Sequence, residues 1–365
     1  DGCHPHQFSP PRQAEVWRYD PSTKATFKPS TCNVETFITH NGDLDFFTIN
    51  GVCYELDQLQ QLLPLLLHHP LPSRVDSACV AGLLELLRTK GLWMASVRYA
   101  HLYAVLRTEG SNGDREMAAA LFHAGHTVLD LTMDDVADAA ADPLADVRAV
   151  VFVGGFSHAD VLGAGAGWCA HIEHHATLRA RLMGCLAQPH VRSLGVCNGC
   201  QLLALLGWVP GVKEDAPEHL PRFVHNASRK FESRWSSITI LDSPSILLKG
   251  MAGSSLGVWI AHGEGRAYFP DDSHRQLVES KNLAPIRYAD DGGNATDAYP
   301  FCPNGAALGA AALCSPCGRH LAMMPHPERC VLPWQWPYLP PDQPKFAQRS
   351  PWRKLFENAA AFLED

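Results

Sequence analysis

The 365-residue chain is long enough for two domains, and its 46% hydrophobic and 19% charged content are those of a globular enzyme. A net charge of −8 with no basic run argues against a nucleic-acid partner, and no stretch approaches the apolar length of a transmembrane helix. Twelve cysteines lie scattered without the rhythm of a disulfide framework, so reduced thiols and a cytoplasmic location are expected; starting at Asp1 rather than Met, the chain is expected to be a fragment or a processed product.

Residues 1–30, rich in Pro, Ser and charge, suggest a loose entry segment. Residues 34–39 alternate as a strand and run into His40-Asn41-Gly42. Residues 56–67 are leucine-rich and helical in pattern, with a kink or break at Pro64, and Asp76 or Ser77 caps a helix through 78–87. Composition shifts near Arg98 to His101, which divides the chain into a small α+β segment, 1–100, and a second domain, 101–365.

The second domain opens with an apolar strand over 102–106, a turn Gly110-Ser111-Asn112-Gly113, and a helix over 117–124 capped by Asn112 or Asp114. The turn lacks the Lys-Ser/Thr of a P-loop and the third glycine of a dinucleotide fingerprint, so a plain βα turn explains it. Strands follow at 127–131 and 147–153. The latter is continuously apolar after Arg148, as burial on both faces requires, and ends in Gly154-Gly155-Phe156-Ser157, where backbone N–H groups can turn toward a ligand. Cys169, His171, Glu173, His174 and His175 have metal-ligating chemistry, with His171 and His175 at i, i+4 on one helix. No third ligand is identifiable, and a solvated helix face is the preferred reading, so no metal is expected.

Next comes the most informative stretch. Residues 191–196 read as a buried strand and 202–206 as a helix, and between them Cys197 is flanked at i−2 and i+2 by Gly195 and Gly199. That pattern is a nucleophile elbow: the backbone turns so tightly that a Cβ beside the apex would clash, and the apical side chain is presented at the C-terminal edge of a sheet. The following helix directs its unpaired N–H groups at the sulfur, where they favour negative charge and can hold an oxyanion. Cys200, one turn into the helix, reads as a packed apolar residue. Such strand–helix alternation implies a parallel sheet covered on both faces with its site at the C-terminal edge.

Residues 231–241 and 256–261 read as strands, the second delivering His262-Gly263-Glu264-Gly265. Cys314-Ser315-Pro316-Cys317 has zinc-like spacing but no second pair, and reads as a turn. A short strand over 321–324 ends in Pro325-His326-Pro327-Glu328. A cysteine nucleophile needs a base, and the base needs an orienting acceptor. His326 and Glu328 stand two apart, so in extended chain their side chains lie on one side, with Pro327 stiffening the turn. A surface turn is the alternative for His-Pro-Glu alone, and the elbow weighs against it. The strap Pro333-Trp334-Gln335-Trp336-Pro337 reads as a loop anchored by aromatic packing. Ser350-Pro351 starts a last helix with Trp352, Leu355, Phe356, Ala359 and Leu363 on one face.

The elbow Gly195-Val196-Cys197-Asn198-Gly199-Cys200-Gln201 together with His326-Pro327-Glu328 resembles the class I (triad) glutamine amidotransferases. The stretches Leu106 to Glu116, Val153-Gly154-Gly155-Phe156-Ser157, Ala261-His262-Gly263-Glu264-Gly265 and Met324 to Arg329 narrow the resemblance to the C-terminal glutaminase domain of the large, single-chain phosphoribosylformylglycinamidine synthases, over about residues 102–365. This resemblance implies a flavodoxin-like α/β fold, a mostly parallel sheet with helices on both faces. It implies that Cys197 attacks the carboxamide of L-glutamine, His326 moves the proton, Glu328 orients His326, and the N–H groups of Gly155 and Asn198 form the oxyanion hole. Gln201, Gly263 and Glu264 would hold the glutamine. The partner implied is a formylglycinamide ribonucleotide synthetase domain, in cis or in trans, which uses the ammonia in purine biosynthesis. ATP and Mg belong to that domain, and no cofactor is expected in this chain. Residues 1–100 partly resemble a class II (N-terminal-nucleophile) amidotransferase domain, in the strand before His40-Asn41-Gly42 and the Asp76-Ser77 helix start. Cys3 is not at the terminus as that chemistry requires, so this segment is assigned no catalysis. Two other readings stay open for the residues themselves: another cysteine hydrolase on the same fold, and a non-catalytic interaction protein that retains it.

Overall fold

The computed structural model describes residues 102–359, apart from 139, 141, 213–216 and 340–348, together with three earlier strands. The expectations for 1–30, His40 to Gly42, 56–67, 76–87 and Leu363 lie outside the described residues. The chain divides into two compact units, Asp1–Arg98 and Tyr99–Asp365. In the first, β1 (Val34–Ile38), β2 (Leu44–Ile49) and β3 (Val52–Glu55) form an antiparallel meander in the order β1-β2-β3.

The second unit is built on β4 (Leu102–Arg107), α1 (Asp114–His123), β5 (Thr127–Thr132), α2 (Met133–Asp138), β6 (Ala149–Phe152), α3 (Ala166–His174), α4 (Ala176–Ala187), β7 (Arg192–Val196) and α5 (Asn198–Leu205). After these come β8 (Arg222–Val224), β9 (Glu232–Ile240), β10 (Ser255–His262), β11 (Arg266–Tyr268), α6 (Asp272–Ser280), β12 (Ile286–Tyr288), β13 (Ala312–Cys314), β14 (His320–Met323) and α7 (Arg353–Asn358). The main sheet has the order β13-β14-β7-β6-β4-β5; β14, β7, β6, β4 and β5 run parallel and β13 is an antiparallel edge. From β4 the chain steps one way to β5, then the other way through β6 and β7 to β14. Right-handed connections therefore place α1 on one face and α2 to α5 on the other, and the reversal lies between β4 and β6. Burial along the whole length of the central strands β6 and β7 explains the unbroken apolar run of the first and the mostly apolar run of the second, which buries Arg192 and Ser193 as well.

Strands β9 and β10 do not extend this sheet. With β12 they form a separate antiparallel sheet, β10-β9-β12, and β8 pairs with β11 in a third. The caps also differ from expectation. Neither Asn112 nor Asp114 caps α1: Gly113 is the N-cap without a side-chain bond, and Asp114 lies in the first turn, where it complements the dipole. His171 and His175 do not share a helix: α3 ends at His174, and His175 caps α4, its side chain accepting from the N–H of Leu178 (3.2 Å). Among the described residues no three side chains of His, Cys, Asp or Glu converge to hold a metal ion. No described helix is long and apolar enough to cross a membrane. The Cys314 to Cys317 stretch is the turn between β13 and β14, closed by the N–H of Gly318 on the Ser315 carbonyl (2.9 Å).

The tryptophan strap packs through Trp336, whose Nε1 donates to the Cys330 carbonyl (2.8 Å) and whose ring lies 5.1 Å from Trp235; Trp334 is exposed. The last helix starts two residues later than proline at its first position would require, at Arg353. Trp352 precedes it, fully buried, with Nε1 donating to the carbonyl of Gly257 on β10 (2.8 Å); Leu355, Phe356 and Ala359 are buried on the same face. Trp352→Ala leaves a large cavity and an unpaired carbonyl, and is expected to cost about 3–5 kcal/mol of stability, read as a lowered denaturant midpoint.

Candidate active site

Three neighbouring strands deliver the site. β14 pairs with β7 up to Met323 opposite Val196, and β7 pairs with β6 up to Gly195 opposite Phe152. The segments that leave these ends are therefore adjacent: His326 after β14, Cys197 after β7, and Gly154 and Gly155 after β6. The N–H of Cys197 donates to the Met323 carbonyl (2.9 Å), tying two of the three ends together.

Cys197 has φ 53° and ψ −103°, a conformation that L-residues avoid at a cost of about 1–3 kcal/mol. The surroundings leave it no other. A Cβ at Gly199 would sit 2.1 Å from the Phe152 carbonyl oxygen, and one at Gly195 would sit 2.4 Å from the Gly199 oxygen. Helix α5 begins immediately, at Asn198, and the thiol is 7% exposed, donating to the Ala261 carbonyl at 3.5 Å. Cys200 is fully buried, as a packed residue should be.

His326 is held by its backbone N–H on the Trp259 carbonyl of β10 (2.8 Å), and Pro327 to Arg329 then form a 3₁₀ turn. Its Nδ1–H donates to Glu328 Oε1 at 2.6 Å, and both side chains are buried. Arg329 braces the turn from outside, with Nε on Glu116 Oε2 of α1 (2.6 Å). Burial alone would push the imidazolium down. The Glu328 carboxylate and then the Cys197 sulfur more than reverse that, and the pKa of His326 rises to about 10. His326 Nε2 makes no hydrogen bond within the protein by geometry, although Cys197 is close enough to stabilise its charge; a Cβ at Gly154 would touch both, at 3.0 Å from His326 Cε1 and 3.4 Å from Cys197 Cβ.

Gly155 has φ 145° and sits in an isolated antiparallel bridge with Ser111, at the point where the sheet order reverses. The bonds that flank this bridge run from Asn112 N–H to the Gly154 carbonyl (3.1 Å) and from Phe156 N–H to the Gly110 carbonyl (2.9 Å). In that pattern the N–H of Gly155 points away from Ser111. Among the described residues no backbone acceptor takes it, nor the N–H of Asn198 at the first position of α5.

The other expected residues form a linked shell. Asn198 Nδ2 donates to Gln201 Oε1 (3.1 Å) and Asp160 Oδ1 (3.2 Å), and Gln201 Nε2 donates to the Glu264 carbonyl (2.7 Å). Both ends of the Gln201 amide are thus engaged by the protein, and Gln201 sets the position of Glu264. The Glu264 carboxylate accepts from Ala164 N–H (3.3 Å). Gly263 borders Phe231, 3.6 Å from where a Cβ would sit.

Sequence reasoning missed three contributors. Asp160 lies on a loop where His158, Ala159 and Asp160 all have positive φ (49°, 54° and 52°). Burial, then the neighbouring Glu264 carboxylate, push its carboxyl group up. Asn226 clasps the His262 to Gly265 turn: its Nδ2 donates to the His262 carbonyl (2.9 Å) and its Oδ1 accepts from Gly265 N–H (3.0 Å). Asn304 donates to the Gly265 carbonyl (2.7 Å) from the other side. Buried His262, pushed down to about 3 by burial and then by the charge of His326, stays neutral under that turn.

The raised His326 pKa makes this site stabilising at low pH. The contribution is complete below the ordinary histidine value of about 6.5 and is lost as pH rises through about 10. The stability difference between the native chain and Glu328→Gln, measured by denaturant unfolding, is therefore expected to be largest at pH 6 and to shrink steadily toward pH 10.

The profile of the CobB/CobQ-like glutamine amidotransferase domain matches residues 101–363. The chain is 55% identical over 264 residues to the probable phosphoribosylformylglycinamidine synthase, chloroplastic/mitochondrial, of Arabidopsis thaliana, covering 72% of this chain and 19% of that protein. It is 50% identical over 266 residues to the phosphoribosylformylglycinamidine synthase of Homo sapiens, covering 70% and 20%. The chain thus spans about a fifth of the length of the curated relatives it matches. Among solved structures, a chain of PurLQS from Thermotoga maritima matches at a TM-score of 0.52 and 23% identity, over 72% of this chain and 99% of that one, and shares the fold.

Proposed function

The chain belongs to the CobB/CobQ-like glutamine amidotransferase domain family, and on that premise we propose that its second unit hydrolyses L-glutamine to glutamate and ammonia through Cys197, His326 and Glu328. The observation that carries this reading is the convergence of three adjacent strand ends on Cys197, with the Glu328-bound His326 on one side and the free Gly155 N–H on the other.

The Cys197 thiol passes its proton to His326, the thiolate attacks the carboxamide carbon, and the carbonyl oxygen takes up negative charge facing the N–H groups of Gly155 and Asn198. Such donors are worth about 3–4 kcal/mol each in the transition state. His326, held protonated by Glu328, gives its proton to the leaving nitrogen, ammonia departs, and a glutamyl thioester remains. Water then attacks the thioester as His326 takes a proton from it, and glutamate leaves. The Glu264 carboxylate lies close enough to Asp160 to push its carboxyl group up, after burial. A substrate ammonium between them relieves that repulsion, so we assign them the α-ammonium of glutamine, with the Gly263-Glu264 turn held in place by Gln201. This chemistry uses no metal or cofactor of the chain itself.

The ammonia goes to a formylglycinamide ribonucleotide synthetase domain, in the same polypeptide or another, whose reaction in purine biosynthesis consumes ATP with Mg. The names of the two relatives support that destination. Eight free cysteines among the described residues favour a reducing compartment such as the cytoplasm, although the Arabidopsis relative is named for organelles. We assign residues 1–100 no catalytic part.

An electrophilic glutamine analogue is expected to label Cys197 stoichiometrically, as read by peptide mass spectrometry, and glutamine to release ammonia. Cys197→Ser or His326→Ala should lower that release about a thousandfold or more. Asp160→Asn and Glu264→Gln should raise KM about 10- to 100-fold, the worth of a charge-assisted hydrogen bond, with kcat little changed. Labelling of Cys197 with no preference for glutamine-like reagents would sink the substrate assignment.

A further inference from the structure

We propose that Cys197 and Cys200 form a reversible thiol–disulfide pair, closed by a hydroperoxide and reopened by a dithiol, and that closure stops the release of ammonia. What the bond switches off rests on the glutaminase reading above; whether the bond forms does not.

The two cysteines make a C-x-x-C stretch, Cys197-Asn198-Gly199-Cys200, at the junction of β7 and α5. In a strand–helix unit of a parallel sheet that spacing is the pattern of thiol–disulfide chemistry. It sets Cys197 at the N-cap of α5 and Cys200 in the first turn. Cys197 already lies on the helical path, because its carbonyl accepts the first bond of α5, from Gln201 N–H (3.1 Å). Helix geometry then separates the two Cα atoms by about 5 Å, within the span of roughly 4.4–6.8 Å that a disulfide bridges. Burial pushes the Tyr288 hydroxyl on β12 up, and charge on Cys302, Cys200 or Cys197 pushes it further, so both thiols of the pair lie on the side of α5 that faces Tyr288. Cys185, Cys302 and Cys330 each donate to an oxygen of the protein. Cys200 has no such acceptor among the described residues, so no bond holds its sulfur away from Cys197. Cys197 gives up only its long contact with the Ala261 carbonyl (3.5 Å). The other C-x-x-C stretch, Cys314 to Cys317, spans a turn between antiparallel strands and has no helix to set its spacing.

Burial divides the roles. A sulfur that a glutamine carboxamide reaches is also reached by a hydroperoxide as small as hydrogen peroxide, and Cys197 is that sulfur. Cys200 is fully buried, and burial, then the neighbouring Cys197, pushes its thiol well up, so it stays protonated and away from the oxidant. With its proton on His326, the Cys197 thiolate attacks one oxygen of the peroxide and the O–O bond breaks. The departing hydroxide takes the proton from His326 and leaves as water, and Cys197 is a sulfenic acid. The Cys200 thiol then attacks the sulfenic sulfur, and its proton leaves with the hydroxyl as a second water. Two thiols are oxidised to one disulfide, and one peroxide is reduced to two waters. In that state Cys197 cannot attack a carboxamide. The sulfenic acid is also consumed before a further peroxide carries it to the sulfinic acid, which thiols do not reverse. A dithiol reopens the pair by exchange at the Cys197 sulfur, the more accessible of the two.

The test exposes the full chain to hydrogen peroxide and measures ammonia release from glutamine before and after dithiothreitol. Peptides are mapped by mass spectrometry with free thiols blocked in acid. The native chain is expected to lose ammonia release about tenfold or more, to carry a Cys197–Cys200 link lighter by two hydrogen atoms, and to regain its rate to within about twofold with dithiothreitol. Cys200→Ala should release ammonia as the native chain does before exposure, then accumulate sulfinic acid at Cys197 and recover about fivefold less. If alanine leaves the core too loose to fold, Cys200→Ser keeps the volume and serves in the same assay, since a hydroxyl cannot close the bond. Cys317→Ser, which removes an exposed thiol from the other C-x-x-C stretch, should behave as the native chain does. The proposal is overturned if peroxide leaves ammonia release unchanged, or if activity is lost with no Cys197–Cys200 link or with Cys197 joined to a different cysteine. It is also overturned if the Cys200 variants recover as fully as the native chain, or if Cys317→Ser is impaired as they are. A native chain that releases no ammonia before exposure would instead sink the glutaminase reading, while the mass measurement would still judge the pair.

Discussion

The site depends on one crowded contact, the pressing of the first turn of α5 onto the end of β6. Gly199 lies so close to the Phe152 carbonyl that no side-chain carbon fits between them, and Gly195 lies equally close beneath Gly199. Because the helix must start there, the chain has a single residue in which to turn from strand to helix, and Cys197 takes up the whole turn at φ 53°. A strained backbone angle persists only where the surroundings over-determine it. Here the over-determination comes from two strands, a helix and the Met323 carbonyl, which hold the sulfur in place before any substrate arrives.

His326 and Glu328 repeat the logic with electrostatics in place of crowding. Two buried groups of opposite charge sit 2.6 Å apart, and burial by itself would discharge the histidine. The Glu328 carboxylate and the Cys197 sulfur together outweigh burial, so His326 holds its proton at neutral pH. Neighbouring His262 shows the contrast: equally buried, next to the charge of His326 and without a carboxylate of its own, it stays neutral. One imidazole is charged and the other is neutral filling under the Glu264 turn, and the chief difference is the residue two positions beyond His326.

What could be read from the sequence was local. Gly195, Cys197 and Gly199 lie within five residues, His326 and Glu328 within three, and each group carries its geometry in its spacing. The parallel sheet was legible because strands buried on both faces leave unbroken apolar runs. Asp160, Asn226 and Asn304 were not legible, because nothing near them in sequence says which turn they meet. Asn226 and Asn304 close on Gly265 from positions 39 residues to either side. The three-residue strands β12 and β13 are too short for any period to show, and the placement of β9 and β10 in a sheet of their own is a matter of pairing, to which their alternation is indifferent. His175 read as part of one helix face with His171 because a histidine that caps a helix is, in sequence, indistinguishable from one on its face.

The bridge between Ser111 and Gly155 has a property of parity. Along an antiparallel pair, successive residues direct their N–H groups alternately toward the partner strand and away from it. Gly155 points outward only because Asn112 and Phe156, on its two flanks, spend their N–H groups on the bridge. One residue gained or lost between β4 and Ser111 would set groups of the wrong parity opposite Gly154 and Phe156 and unmake the bridge that holds Gly155 outward, leaving the cysteine, the histidine and the glutamate untouched. The loop after β4 lies apart from Cys197, His326 and Glu328, yet its length in whole residues decides whether the Gly155 N–H stays unbonded beside them.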